Sequence, residues 1–327
     1  MKNYYDLLKV FAIFLVVFGH ITILYRGESF GLAENRYLTF LCTAIYLFHM
    51  PLFIALSGAI FQIGLDKGKY FLFLPFLENK ILRIGIPFLA VGSLFLAPSL
   101  YFLKMSHVEG GFLSIVYNVI CCMGEERHLW YLPSLFWIFM IAWVLDKALI
   151  SDFLSLIVSI LFALFYSLFI DFDFMCLSNA IHYLPYFLVG MILQKHSELV
   201  GRKMLLTGIS LILIVGSINK ITDIGWLDNL MGILLPIAFI LSLFPLAKIT
   251  LPKVQNNKIM QMILHQSYAI YLFHVMIIYA MYSLFPIALP AIVMVSLVFV
   301  CSIIGSMLTA AHPIKSVASL PKYINDT

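Results

Sequence analysis

Three side chains near the N-terminus combine residue types and a spacing that suit chemistry: Asp6, Lys9 and His20. Between Lys9 and His20 runs a fully apolar stretch, 10–19. At 100° per residue the eleven positions from Lys9 to His20 make about three helical turns. A helix therefore sets both on nearly the same face, roughly 16 Å apart along its axis. Asp6 lies three residues before Lys9 and shares that face within about 60°. Two readings fit the spacing. In one, the stripe of acid, base and imidazole faces the interior of a helix bundle, because charge against lipid is costly. In the other, Lys9 snorkels to the headgroups and His20 marks the far interface.

Four further groups could act with them. Lys80 and Arg83 are three residues apart and share a helical face. They fit either ordinary loop charge or, with Lys9, a site for a polyanion, since guanidinium presents a planar fork of donors to phosphate. His49 opens the segment His49-Met-Pro-Leu-Phe-Ile-Ala-Leu-Ser57-Gly58 and reads as an interfacial residue or a pocket donor. Pro51 bends this helix, and Ser57-Gly58 permits close helix packing. Glu125, Arg127, His128 and Trp130 crowd one span entrance with more polar groups than an aromatic belt requires. Aromatic and polar side chains together suit a sugar, which offers an apolar ring face and many hydroxyls. Tyr271 and His274, three apart, share a helical face in a late apolar segment, where a structural hydrogen bond is the plainer role for the imidazole.

The elements that must position these residues are membrane spans. Hydrophobic residues make up 63% of the 327, charged ones 11%, and the mean hydropathy is +1.03. A soluble domain has roughly 45–50% apolar and 25% charged residues. The expected fold is all-α: a polytopic integral membrane protein with about ten transmembrane helices in one bundle, a single domain over 1–327. The expected spans are 4–24, 38–63, 81–103, 129–150, 153–170, 180–194, 204–219, 229–248, 262–284 and 287–310. With the N-terminus in the cytoplasm, five of the 20 Lys and Arg residues (Arg26, Arg36, Lys104, Arg127 and Lys220) fall outside and the other fifteen inside. That bias places both termini in the cytoplasm and the chain in the cytoplasmic membrane. No small-residue cleavage site follows the first apolar run, so it reads as a retained span. A net charge of +4 is too small to suggest nucleic acid. The five cysteines have neither C-x-x-C nor metal spacing and read as apolar filler. No metal and no resident cofactor is expected.

In order along the chain, these stretches resemble the acyltransferase-3 family of membrane acyltransferases, and within it the sugar O-acetylases related to fucose 4-O-acetylase. The resemblance rests on Lys9 and His20 with ten residues between them, the apolar run, and Asp6 in the accompanying acidic position. It continues in Pro51 to Gly58, Lys80 and Arg83 (Lys standing where Arg is more usual), His128 to Leu132, Tyr183 to Gly190 and Tyr271 to His274. It implies a ten-helix enzyme that moves an acyl group, usually acetyl, from cytoplasmic acetyl-CoA to a hydroxyl of an envelope or lipid-linked sugar. On that reading Lys9, Lys80 and Arg83 hold the CoA phosphates. His20 is the general base on the acceptor hydroxyl or an acyl carrier, and Asp6 orients or balances Lys9. His49, Ser57, Glu125, Arg127, His128, Trp130, Tyr271 and His274 are candidates for binding the substrate. The alternative from another class is a transporter of sugars or small anions, since intramembrane charge and a midplane His also serve proton coupling. The concentration of polar groups in the first three spans and the lack of an evident repeat speak against it.

Overall fold

The computed structural model describes residues 3–27, 29–106, 108–123, 128–221, 225–284 and 289–311. All regular structure among them is helical. The helices are α1 (Tyr4–Thr22), α2 (Arg36–Tyr46), α3 (His49–Asp66), α4 (Phe73–Lys80), α5 (Ile86–Val91), α6 (Ala97–Phe102) and α7 (Phe112–Cys121), followed by α8 (Tyr131–Lys147), α9 (Asp152–Phe169), α10 (Leu177–Lys195), α11 (Arg202–Ile221), α12 (Gly225–Val254), α13 (Lys258–Leu284) and α14 (Ala291–Ala311). Among the described residues seven helical stretches are long and apolar enough to cross a membrane: Tyr4–Arg26, Arg36–Asp66, Phe73–Phe102, Asp152–Phe169, Trp226–Val254, Lys258–Leu284 and Ala291–Thr309.

The expected spans at 129–150, 180–194 and 204–219 appear as α8, α10 and α11, which fall short of that description. α8 has 17 residues, about 26 Å at 1.5 Å each, less than the ~30 Å hydrocarbon core. α10 carries Asn179, His182, Gln194 and Lys195. Its middle, from Leu184 to Met191, is nevertheless buried without interruption. It packs on α3, α9 and α8, so it meets protein instead of lipid and tolerates polar residues and the internal Pro185. α11 begins at the charged pair Arg202-Lys203, and its side chains are described over 202–218. The loop expected over 104–128 contains an additional short apolar helix, α7.

Each helix has a local cause. α1 starts in a capping box: Asp6 N–H donates to Asn3 Oδ1 at 3.1 Å, and Asn3 N–H donates to Asp6 Oδ2 at 3.3 Å. The span expected as one helix over 38–63 is broken into α2 and α3 at Leu47–Phe48, where Phe48 leaves the helical region (φ −138°, ψ −14°). Pro51 then sits in the first turn of α3, where its missing N–H costs no helical bond. The stretch Phe73–Phe102 widens twice into π-helical turns, Ile81–Gly85 and Gly92–Leu96, each just before a proline, Pro87 and Pro98.

α1 lies at the centre of the bundle, against α2, α3, α12, α13 and α14. The α3–α10 crossing is closest. A Cβ on Gly58 would overlap the carbonyl oxygen of Phe187, and one on Gly190 would overlap that of Ala55. The two backbones touch through paired glycines, as small residues allow in membrane proteins. Outward faces are apolar, notably Phe153, Ile157, Leu161, Phe165 and Leu168 on α9, as a helix facing lipid requires. Gly190→Ala should lower stability by about 1–3 kcal/mol through overpacking. Gly216→Ala, which meets nothing within 4 Å, should be neutral or stabilising by about 0.5–1 kcal/mol. Unfolding in mixed micelles, followed by the loss of protection from protease, measures both.

Candidate active site

The last turn of α1 brings His20 into a cluster of imidazoles. Its ring centroid lies 5.1 Å from that of His274 on α13 and 6.2 Å from that of His128, just before α8. Tyr46, at the end of α2, is 6.4 Å from His20 and 4.7 Å from His49, the first residue of α3. His49 is also within electrostatic reach of His20. Four histidines separated by long stretches of sequence thus share one region of the bundle. Among the described residues no group of His, Cys, Asp and Glu is arranged to hold a metal ion.

The hydrogen bonds of the cluster assign its protons. His274 Nδ1 is 2.9 Å from the carbonyl oxygen of Ile270 and 2.8 Å from that of Tyr271. His49 Nδ1 is 2.9 Å from the carbonyl oxygen of Ile45. A carbonyl oxygen only accepts, so Nδ1 carries the proton in both rings and each neutral imidazole keeps a lone pair on Nε2. The hydroxyl of Tyr279 on α13 is 2.7 Å from His128 Nε2. His20 makes no hydrogen bond to a described residue, so its nitrogens are available to a reactant.

At the other end of α1, Lys9 borders a cavity of about 170 Å³. Its polar walls are Ser57 from α3, Tyr131 from α8, and Ser267, Tyr268 and Tyr271 from α13. Ser57 and Tyr131 are hydrogen-bonded through their hydroxyls at 3.0 Å. The buried Tyr271 hydroxyl has no partner. At ~30 Å³ per water the space equals roughly five or six waters, enough for a slender chain and too small for a nucleotide. Six apolar side chains complete the lining, and the hydroxyls of Ser57, Ser267 and Tyr268 donate to main-chain carbonyls, so the Lys9 ammonium and the Tyr271 hydroxyl are the donors left for a carbonyl-bearing or anionic occupant. Tyr271 links the cavity to the histidines, with its ring 5.3 Å from Tyr131 and 6.3 Å from His274.

The π-turn at Ile81–Gly85 forms one edge of this wall. Pro87 has no N–H to offer the carbonyl of Arg83, four residues earlier, and the Tyr268 hydroxyl donates to that oxygen instead, at 3.0 Å. Arg83 is therefore tied by its backbone to a residue of the Lys9 cavity. Lys80 is placed differently. Its ammonium sits 3.4 Å from the Phe139 ring centroid, with Tyr70, Phe76 and Phe61 at 5.1, 5.4 and 5.8 Å. This aromatic cage stabilises the buried cation through the rings.

Residues 2–311 match the acyltransferase-3 family model, described as an acyltransferase domain. The chain belongs to this family. No curated protein and no solved structure matches it. This membrane acyltransferase gathers His20, His49, His128 and His274 in one cluster, and Lys9, Ser57 and Tyr271 around one cavity. Asp6 stays in the α1 cap, near enough to Lys9 to interact electrostatically. It is fourteen residues from His20, about 21 Å along the helix. Trp130 packs on Tyr183 of α10, with centroids 5.1 Å apart. Glu125 and Arg127 lie outside the described residues. Tyr46, Tyr131, Tyr268 and Tyr279 were not singled out from the sequence. Tyr268 carried a usable signal, three residues before Tyr271 on the same face; Tyr279 carried none. Tyr268→Phe leaves the Arg83 carbonyl without its donor and should cost about 1–3 kcal/mol, read as a lower thermal midpoint in detergent.

Proposed function

We propose that the protein transfers an acetyl or other short acyl group from cytoplasmic acyl-CoA to a hydroxyl of an envelope or lipid-linked sugar. In this reading the chain crosses the cytoplasmic membrane about ten times, α8, α10 and α11 completing the seven long apolar stretches, with both termini in the cytoplasm. The observation that carries it is the division of labour along α1. Lys9 and the unpaired Tyr271 hydroxyl border a narrow cavity, and three turns away from Lys9 on the same helix His20 presents an imidazole without a hydrogen bond to a described residue. The family membership and the resemblance to sugar O-acetylases support the classes of donor and acceptor.

CoA is a polyphosphate with a long thin arm. Lys9 and Arg83 would meet the phosphates where the arm enters, and Lys80 would join them only by leaving its aromatic cage. The arm fits the Lys9 cavity, and its thioester carbonyl can take hydrogen bonds from the Tyr271 hydroxyl. His20 takes the proton of the acceptor hydroxyl as the oxygen attacks the thioester carbon. The C–S bond breaks and the proton passes to the leaving thiolate. In a second course His20 itself carries the acyl group. Trp130, beside Tyr183, offers a sugar a ring face, with His49 and His128 as polar contacts and Glu125 and Arg127 as further candidates.

Purified protein in nanodiscs with radiolabelled acetyl-CoA and envelope glycans should release CoA and label the glycan. His20→Ala should lower release by about 10²-fold or more with normal membrane insertion; undiminished acetylation would sink both courses. Lys9→Ala should raise KM for acetyl-CoA by roughly tenfold with a smaller change in kcat, as expected for lost ground-state binding. Folded protein that neither binds nor cleaves acetyl-CoA would point to transport of sugars or small anions.

A further inference from the structure

We infer that His274 is a positioning residue: its unpaired Nε2 accepts the ring N–H of His20 and so fixes which nitrogen of His20 faces the acceptor hydroxyl. The inference rests on the acyl-transfer reading for its role, and on the geometry alone for the interaction.

Three observations meet here. The backbone carbonyls of Ile270 and Tyr271 hold the His274 proton on Nδ1. That leaves Nε2 as an acceptor, and this nitrogen is buried without a partner in a residue only 2% exposed. A buried acceptor left unmade is costly, so the site calls for a donor. Among the imidazoles in ring contact with His20, that of His274 is the nearer, at 5.1 Å between centroids against 6.2 Å for His128. His20 has a ring N–H that no described residue accepts. The other groups around it are less suited to receive that proton. His49 also keeps a lone pair on Nε2, but the ring contacts of His20 are with His274, His128 and Tyr46; of these, His128 Nε2 is engaged by Tyr279, and Tyr46 meets His20 edge-on at 6.4 Å. A small rotation of the His20 ring, or one bridging water, closes the pair.

The chemistry resembles that of a hydrolase triad, in which a third group holds the catalytic imidazole in one tautomer. Here the third group is neutral. With its N–H turned to His274, His20 presents its other nitrogen as a lone pair to the acceptor. As the hydroxyl oxygen bonds to the thioester carbon, the hydroxyl proton moves to that lone pair. The resulting imidazolium keeps its hydrogen bond to His274 Nε2. When the C–S bond breaks, the same proton goes to the thiolate and His20 returns to its starting tautomer. A carboxylate in place of His274 would hold the imidazolium more strongly, at the cost of a permanent charge inside the membrane.

The test compares His274→Leu, which removes the acceptor, with His274→Gln, which retains an acceptor oxygen. The first readout needs no substrate. In protein carrying ¹⁵N-histidine, with His20 assigned by its loss in His20→Ala, the ring nitrogen shifts report the tautomer. Wild type should show one His20 tautomer. The Leu variant should show a mixture and the Gln variant the wild-type form. In turnover, the Leu variant should lose about tenfold or more in kcat with KM for acetyl-CoA near wild type, and the Gln variant should keep most of kcat. An unchanged His20 tautomer in the Leu variant overturns the inference, as does a Gln variant as scrambled as Leu. Should the Leu variant fail to insert, the Gln variant decides alone. Because the tautomer is read without acyl-CoA, absence of acetyl transfer in wild type would defeat the proposed function and leave this interaction to its own result.

Discussion

The backbone contact between α3 and α10 sets the rest of the bundle. Gly58 and Gly190 let two main chains meet where no side chain fits. Lipid tails are as apolar as the helices, so close packing, not exclusion of water, holds such pairs together. The contact fixes the rotation of α3. Ser57, next to Gly58, then turns toward Tyr131 and the Lys9 cavity. His49, at the start of the same helix, lies near Tyr46 and the other histidines. The same contact draws α10 into the interior, which lets it keep polar residues and an internal proline.

A second constraint is that polar groups inside a membrane bundle must find partners within the protein. Most do so locally. Two imidazoles bond to nearby main-chain carbonyls, His274 within α13 and His49 back to Ile45 at the end of α2. The carbonyl orphaned by Pro87 is taken by Tyr268, and a buried ammonium is enclosed by four aromatic rings. Among the described residues, three of the groups left open lie in the site: the His20 ring, His274 Nε2 and the Tyr271 hydroxyl; Gln62 Oε1 and Ser302 Oγ are also buried without a partner. Open polar groups in a site prepared for reactants carry their desolvation cost in advance and can return it when charge develops in the reaction.

α13 joins the two halves of the site. One turn separates Tyr271, in the cavity wall, from His274, beside His20. Its packing along α1 holds both in register with Lys9 and His20. On the proposed reading, a donor arm entering past Lys9 and an acceptor approaching His20 would meet along this seam.

The sequence by itself determined the membrane class, the all-helical fold and the stripe on α1, because apolar content and helical periodicity are local properties. The ordered motifs were also enough to indicate the acyltransferase family. Helical spacing says which residues share a face; it does not say which helix that face will meet. The proximity of the His20 and His274 rings, 254 positions apart, follows only once α1 lies on α13. Charge and spacing left Lys80 open between ordinary loop charge and a polyanion site, and that its ammonium rests among Phe61, Tyr70, Phe76 and the distant Phe139 depends on packing. α10 looked like a weak span because burial within protein removes the demand for an apolar surface. Tertiary packing decided these points, since each depends on what a side chain touches in a medium that supplies no water to take the partner's place.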